Sequence, residues 1–189
     1  MMTRFPPEPN GYLHIGHAKA MRFSFMVASA HKGQTYLRFD DTNPEKENME
    51  YINSIKDTVS WLGYKPWKVT FSSDRFTEIY NFAVALIKKG KAYVCACDKA
   101  EVSADRAAKK GSKWRNRPVQ ENLDLFEEMR LGLHAEGSLS LRLKIDPSSE
   151  NPTLRDPHIY RIRYTPHPHA GDKWCLYPLY DFTHCKCML

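Results

Sequence analysis

The sequence contains no hydrophobic run of the roughly 18–20 residues that a transmembrane helix requires, and its mean hydropathy is −0.59. Its first residues, MMTRFPP, lack the apolar core of a secretory signal peptide. Cysteine is scarce and odd in number, with five among 189 residues, so in a chain without a secretory signal we expect reduced thiols. These absences predict a cytoplasmic protein that does not associate with membranes.

Acidic residues are fewer than basic ones: the sequence has 22 Asp and Glu and 28 Lys and Arg, which gives a net charge of +6 at pH 7. This excess favours a polyanionic partner such as nucleic acid or a nucleotide. The hydrophobic content of 42% and the charged content of 26% are typical of a globular protein. At 189 residues the chain has room for one ordinary domain or two small ones.

The first part of the chain alternates strand and helix signals, which indicates a parallel α/β layer. Strands are predicted at Thr3–Phe5 and Gln34–Asp40, with a helix between them over residues 16–31. A second helix is predicted to begin after Asn43 as its N-cap and to end at Gly63. Its early carboxylates, Glu45 and Glu47, would complement the helix dipole.

The second part, after about residue 75, is mixed in type. It follows a third predicted helix that runs from Asp74 to Gly90. Helical spacing recurs over residues 121–131, whereas strands are predicted over residues 93–97, 139–145 and 158–165. The change from alternating strands and helices to antiparallel strands indicates an insertion into, or a companion to, a nucleotide-binding fold.

The stretch Thr3–Ala20, TRFPPEPNGYLHIGHAKA, carries most of the chemistry. His14 and His17 are three residues apart at the start of a predicted helix, so both imidazoles can point into one cleft. Helix N-termini suit phosphate, and Gly16 removes a side chain where a flat base could lie. The alternative interpretation is that the two histidines only start a helix or bind a metal.

Taken whole, this string resembles the first strand, turn and HIGH motif of class I aminoacyl-tRNA synthetases of the glutaminyl/glutamyl subclass. LRFDDTNP at Leu37–Pro44, LRDP at Leu154–Pro157 and GDKWCLYPLYDFTHC at Gly171–Cys185 continue the resemblance in the family's order. It implies an α/β fold: the first half of a Rossmann-like parallel sheet and a mixed α+β insertion of the type that binds a tRNA acceptor stem.

The activity implied by the resemblance is ATP-dependent activation of an amino acid, followed by its transfer to the 3′ end of tRNA in protein biosynthesis. Mg²⁺ is expected with the ATP phosphates. His14 and His17 would be the catalytic residues. The implied ATP-binding set is Pro7, Glu8, Asn10, His14, Gly16 and His17.

The resemblance places the amino acid against Arg4, Asp40, Tyr180 and His184. Asp40 ends a predicted strand, where ligands of open α/β sheets bind, and matches the acid that holds the substrate ammonium group. A turn or cap is the simpler role for Asp41, and a Mg²⁺ site from the two adjacent acids is a third alternative. PPEPN and the THC after YDF resemble the glutaminyl branch, so we expect glutamine as the substrate, with glutamate as the alternative.

A basic run after residue 105 contains no acid and surrounds Trp114. It could hold tRNA phosphates, with the indole available for stacking, or form a solvated loop. The predicted tRNA contacts are Lys109, Lys110, Lys113, Arg115 and Arg117, together with Arg161 and Arg163 on one strand face. No metal site is expected: Cys95-Ala96-Cys97 suggests zinc, but no second pair of ligands follows before His134.

The resemblance divides the chain into three segments. Residues 1–74 would be the first half of the nucleotide-binding fold, 75–178 the acceptor-stem insertion, and 179–189 the start of the second half. The sequence ends before the family's Lys-x-Ser-Lys loop, so we expect a fragment with an incomplete sheet and impaired activity. The two functional hypotheses are the catalytic region of a synthetase and a non-catalytic remnant that binds tRNA or a protein partner.

Overall fold

The computed structural model describes the backbone of residues 1–186 and the side chains of residues 1–184. The predicted third segment, residues 179–189, therefore lies partly outside the described residues. The chain divides into two compact units. Unit 1 contains Met1–Arg75 and His167–Gly171, and unit 2 contains Phe76–Pro166 and the chain from Asp172 onward.

Unit 1 is a three-stranded parallel sheet in the order β1-β2-β3, with helices in the connections. Its elements are β1 (Met2–Phe5), α1 (Ile15–Ala30), β2 (Gln34–Phe39), α2 (Met49–Trp61) and β3 (Lys68–Phe71). A 3₁₀ turn follows at Ser73–Arg75. This order confirms the predicted parallel α/β layer, although the sequence patterns did not predict β3.

The core of unit 1 consists of apolar side chains that recur with strand and helix periodicity. Phe5, Leu37 and Phe39 come from the sheet, whereas Met21 comes from α1 and Ile52 from α2. A glycine allows the turn into β2 to lie against the N-terminal strand, because a β-carbon on Gly33 would stand 1.8 Å from the Met1 carbonyl oxygen. The Gln34 N–H donates to that same carbonyl at 3.0 Å.

The predicted start of the second helix is wrong. Helix α2 begins at Met49 and its N-cap is Asn48, whose side chain accepts the Glu50 N–H at 3.0 Å. Asn43 instead donates its backbone N–H to Oε1 of the Glu47 carboxyl group at 2.6 Å. Glu47 is therefore a buried turn residue and does not lie in the first turn of the helix.

Unit 2 contains a four-stranded antiparallel sheet in the order β4-β5-β6-β7. Its elements are α3 (Phe76–Lys88), β4 (Ala92–Cys95), α4 (Lys99–Ala107), α5 (Val119–Arg130), β5 (Ser140–Leu143), β6 (His158–Ile162), β7 (Leu176–Pro178) and α6 (Tyr180–Lys186). Helices α3 and α5 pack together and against β4. The antiparallel strands confirm the predicted change of fold type, whereas α4 and β7 were not predicted.

Two buried polar side chains tie the irregular segments of unit 2 to its sheet. Asn122 accepts the Val94 N–H at 2.7 Å and donates to two carbonyls that precede α5. Asp156 accepts the Ile145 N–H at 2.8 Å and the Arg115 Nε–H at 2.8 Å. Asn122 thus provides a partner for the buried N–H of Val94, and Asp156 holds the Ile145 backbone and the Arg115 side chain.

Candidate functional site

The HIGH residues form the N-terminus of α1. His14 is the N-cap, and its Nδ1 accepts the Gly16 N–H at 3.1 Å. His17 reaches back so that its Nδ1 accepts the His14 N–H at 3.2 Å. These reciprocal bonds form a capping box made of imidazoles and bring the two ring centroids within 4.0 Å.

The hydrogen bonds fix which nitrogen of each ring carries the proton. Because Nδ1 is the acceptor in both His14 and His17, each neutral ring carries its proton on Nε2 and presents a donor there. Partial burial and the neighbouring His14 lower the pKa of His17, which favours this neutral form. The first turn of α1 contains no acidic residue, so its positive end is not neutralised locally. The arrangement therefore suits phosphate oxygens.

Gly16 has a steric role that the sequence did not indicate. A β-carbon at residue 16 would stand 2.9 Å from His14 Cε1 and 3.1 Å from its Nδ1. The imidazole of His14 thus occupies the space that a side chain at position 16 would need. A glycine between the two histidines allows both rings to fold back onto the start of the helix.

The Pro-rich turn before α1 is anchored by its carbonyls. The Asp40 N–H donates to Pro7 O at 3.0 Å, and the Asn48 N–H donates to Pro9 O at 3.3 Å. Pro7 and Pro9 are buried, whereas Glu8 and Asn10 are exposed. The turn therefore holds its backbone against the end of β2 and presents two polar side chains outward.

Asp40 directly follows β2 and is 4% exposed. Burial raises the pKa of its carboxyl group, and the positive charge of Arg38 opposes that rise. Ser72 Oγ lies between them, because it accepts from Arg38 Nη2 at 2.7 Å and donates to Asp40 Oδ1 at 3.4 Å. These contacts favour a buried carboxylate with a fixed orientation.

Asp41 has a structural role. Its carboxylate accepts the backbone N–H of Ser73 at 3.0 Å and the hydroxyl of Ser73 at 2.5 Å, which caps the 3₁₀ turn at Ser73–Arg75. This is the turn-and-cap role given above as the simpler one. Burial raises the pKa of Asp41 to about 7.

Two buried residues beside Asp41 were missed by the sequence analysis. His167 Nδ1 accepts the N–H groups of His169 and Ala170 at 3.0 Å each, so its Nε2 carries the proton and donates to Asp41 O at 2.8 Å. Glu47 Oε2 lies 3.6 Å from His167 Nε2, and burial raises the pKa of Glu47 to about 9. The cluster therefore consists of a neutral histidine, a protonated glutamate and one aspartate.

The residues predicted to bind the amino acid are distributed over both units. In unit 1, Arg4 lies in β1, paired in register with Tyr36 of β2. In unit 2, Tyr180 begins α6 with 44% of its surface exposed, and its ring centroid lies 4.7 Å from that of His184. The two α6 side chains are therefore neighbours on successive turns.

Most cations of the basic run have partners within unit 2. Lys109 contacts Glu150, Lys113 binds Glu101 at 2.7 Å, and Arg115 binds the buried Asp156 at 2.8 Å.

Arg117 binds Glu121 at 3.0 Å, and its guanidinium lies 4.4 Å from the centre of the Trp114 ring. Lys110 is exposed. One indole face that was expected to be available for stacking thus already carries a guanidinium.

The other predicted tRNA contacts, Arg161 and Arg163, lie on or near β6. Arg163 Nη1 lies 3.3 Å from a Glu136 carboxylate oxygen, and Arg161 pairs in register with Ser140.

The sulfurs of Cys95 and Cys97 lie 3.6 and 3.3 Å from Ser112 Oγ. Within the described residues, no three His, Cys, Asp or Glu side chains group as a metal site, and no helix is long and apolar enough to cross a membrane.

Comparison with known proteins identifies the family. Residues 1–187 match the family model described as tRNA synthetases class I (E and Q), catalytic domain. The chain belongs to this family. The match includes the β1–α1 segment with its two histidines and the α6 segment with Tyr180.

Relatives of this synthetase-family chain are similar to it over nearly its whole length. It is 57% identical over 185 residues to a probable glutamine–tRNA ligase of Dictyostelium discoideum, covering 98% of this chain and 24% of that protein. It is 55% identical over 188 residues to a glutamine–tRNA ligase of Clostridium perfringens, covering 97% of this chain and 34% of that protein. The chain thus spans about a quarter to a third of the length of these relatives.

A solved structure with a similar fold is a glutamate tRNA ligase of Elizabethkingia meningosepticum in complex with its amino acid. The TM-score is 0.65 at 20% identity, and the match covers 97% of this chain and 40% of that one. A glutamate–tRNA synthetase of Elizabethkingia anophelis gives the same TM-score over 41% of its length. At this identity the likeness supports the fold alone.

Proposed function

We propose that the chain forms the ATP- and glutamine-binding part of a glutamine–tRNA ligase. The observation that carries the proposal is the pair of imidazoles at the N-terminus of α1, each with its proton on Nε2. The curated relatives at 55–57% identity, which are named glutamine–tRNA ligases, support the choice of glutamine over glutamate. We propose a cytoplasmic location for the same reason.

The proposed reaction has two displacement steps. A carboxylate oxygen of glutamine attacks the α-phosphorus of ATP, and pyrophosphate leaves. A ribose hydroxyl at the 3′ end of tRNA then attacks the acyl carbon, and AMP leaves. The protein contributes mainly positioning and stabilisation of negative charge in such steps.

His14 and His17 would donate from Nε2 to phosphate oxygens, where negative charge develops. Glu8, Asn10 and the backbone at Pro7 would line the same cleft, because the turn that carries them is anchored to the end of β2. Gly16 keeps the first turn of the helix open to both rings. Mg²⁺ would be held by the phosphates of ATP, whose charge it neutralises.

Asp40 would bind the ammonium group of glutamine. Arg38 and Ser72 support this role because they favour the ionised carboxylate and fix one of its oxygens. Arg4, Tyr180 and His184 are proposed to contact the side-chain amide, since a phenol can accept from an NH₂ group. Lys109, Lys110, Lys113, Arg115, Arg117, Arg161 and Arg163 remain proposed contacts of the tRNA acceptor end.

The proposed segments are residues 1–74 for nucleotide binding, 75–178 for the acceptor stem, and 179–189 as the start of the next part of the fold.

The test of the proposed function measures ATP-dependent attachment of labelled glutamine or glutamate to tRNA by the 189-residue chain, together with binding of each amino acid. Preference for glutamine in either measurement supports the proposal. Binding of tRNA without any binding of ATP or amino acid would favour a non-catalytic remnant.

A further inference from the structure

A short segment from late in the sequence, His167–Gly171, folds as part of unit 1, although the chain on both sides of it belongs to unit 2. Two reciprocal backbone hydrogen bonds close this segment into a turn. The His167 N–H donates to Gly171 O at 2.8 Å, and the Gly171 N–H donates to His167 O at 2.9 Å. Because Nδ1 of His167 accepts the N–H groups of His169 and Ala170, the turn also fixes the orientation of the imidazole.

The other ring nitrogen of His167 holds a backbone carbonyl of the chain that follows β2. The His167 side chain is fully buried, and its Nε2 donates to Asp41 O at 2.8 Å. The nearest carboxyl oxygens, Asp41 Oδ2 and Glu47 Oε2, lie farther from Nε2, at 3.7 and 3.6 Å. The proton on Nε2 is therefore directed at the carbonyl. Residues 40–43 belong to no helix or strand, so this buried carbonyl takes a donor from the imidazole and not from a strand ladder.

The contacts of Asp41 fix the backbone next to Asp40. The Asp41 carboxylate accepts from Ser73, and its carbonyl accepts from His167, so residue 41 is held at its side chain and at its backbone. On the other side, the Asp40 N–H donates to Pro7 O at 3.0 Å. The contact of the Asp40 carboxylate with Ser72 Oγ, at 3.4 Å, is long for an O–H···O hydrogen bond. The direction of this carboxylate therefore depends mainly on the backbone on its two sides.

We propose that His167 is a positioning residue for Asp40: by holding the Asp41 carbonyl, it keeps the Asp40 carboxylate in the orientation that binds the ammonium group of glutamine. The inference rests on the proposed function, in which Asp40 has that role. It is specific to the amino acid, because the rings of His14 and His17 are oriented by hydrogen bonds within the first turn of α1. Loss of the His167 contact should therefore weaken the binding of glutamine and not that of ATP.

Two substitutions of His167 separate its contact with Asp41 from its role in the turn. His167→Asn keeps an acceptor near the position of Nδ1 for the turn N–H groups, but its amide ends one bond short of Nε2. His167→Gln carries an NH₂ group at about the reach of Nε2, with a carbon where Nδ1 stands. The asparagine variant thus loses the contact with Asp41, whereas the glutamine variant keeps a donor for it.

The experiment measures the affinities of the 189-residue chain for glutamine and for ATP by calorimetric titration, at a temperature where thermal melts show every variant folded. His167→Asn should weaken glutamine binding about tenfold and change ATP binding by less than about twofold. His167→Gln should bind glutamine within about threefold of wild type. His31→Asn, the same change at an exposed histidine that ends α1, is the control and should alter neither affinity.

A double variant tests whether His167 acts through Asp40. If it does, Asp40→Asn/His167→Asn should bind glutamine about as weakly as Asp40→Asn alone, because the carboxylate that His167 positions is already gone. If His167 only stabilises the fold, the two losses of affinity should multiply, and that result would overturn the proposal. The proposal is also overturned if the two variants reverse their order, so that His167→Asn binds glutamine normally and His167→Gln does not.

The same titrations distinguish failure of this inference from failure of the proposed function. If wild type binds no glutamine, the proposed function is wrong and the inference fails with it. If Asp40→Asn weakens glutamine binding while His167→Asn binds as tightly as the His31 control, only the role of His167 is wrong. If His167→Asn does not fold, His167→Gln decides: glutamine affinity near that of wild type supports the proposal, and a loss of about tenfold overturns it.

Discussion

His14 Nδ1 accepts the backbone N–H of Gly16 at 3.1 Å, and the imidazole lies where a β-carbon on residue 16 would stand. The same hydrogen bond therefore caps α1 and fixes the orientation of the His14 imidazole. A side chain at position 16 would move the ring and release the N–H together.

Gly16→Ala should weaken ATP binding about tenfold by displacing the His14 ring from its cap. The stability change should be small, because the loss of a cap, about 1 kcal/mol, is offset by the helix propensity of alanine over glycine, also about 1 kcal/mol. Calorimetric titration and thermal melts measure the two quantities. Gly11→Ala is the control, since a β-carbon there meets nothing within 4 Å. Unchanged ATP affinity in Gly16→Ala would contradict this account.

Asp40→Asn should weaken glutamine binding far more than ATP binding, because only the contact with the ammonium group is removed. The affinities for glutamine and ATP are measured separately in both proteins. Asp57→Asn, which changes an exposed acid on α2, should alter neither. Equal losses for both ligands at unchanged stability would remove Asp40 from this role.

Glu47→Gln should stabilise the chain increasingly as the pH rises from 5 to 9. The pKa of Glu47 is raised from 4.5 to about 9 in the folded state, chiefly by burial. Between these values the folded state holds a proton that the unfolded state has released, so stability falls as the pH rises. Glutamine keeps an acceptor for the Asn43 N–H and does not ionise.

The measurement for Glu47→Gln is the melting temperature at pH 5, 7 and 9. Glu45→Gln, at an exposed position in the same turn, is the matched control. A difference between variant and wild type that does not grow with pH would show that Glu47 ionises normally in the folded chain.

Arg115 and Lys110, two cations of the same basic run, should behave differently. Arg115→Gln should lower stability by roughly 2–3 kcal/mol, because the buried Asp156 loses a charged hydrogen-bond partner. Lys110→Gln should leave the melting temperature unchanged and weaken tRNA binding, with a smaller salt dependence. Denaturation curves and salt-dependent tRNA titrations test both. A Lys110 variant that binds tRNA normally at every salt concentration would exclude this lysine from the interface.

Local periodicity predicted much of the fold. The apolar spacing of α2 and α3 and the alternation in β5 identified these elements, because each buries one face within its own unit. The cap of α2 was misplaced because Asn43 and Asn48 both precede the same apolar stripe. Only the structure shows that Asn43 turns its N–H toward Glu47.

The site was predictable where its residues are close in sequence. His14, Gly16 and His17 form one turn of helix, so their spacing already brings them together. His167 could not be found in this way, because it reaches Asp41 across 126 residues of sequence. The short HPHAG segment, which places His167 and His169 two residues apart, was the available sequence signal.

The most direct test of the central claim is the affinity of the 189-residue chain for MgATP with and without the two imidazoles. The variant His14→Ser/His17→Ala keeps an N-cap for α1 but removes both imidazole donors. We expect wild type to bind MgATP and this variant to bind it at least about tenfold more weakly at the same melting temperature. Equal affinity in the two proteins would contradict it.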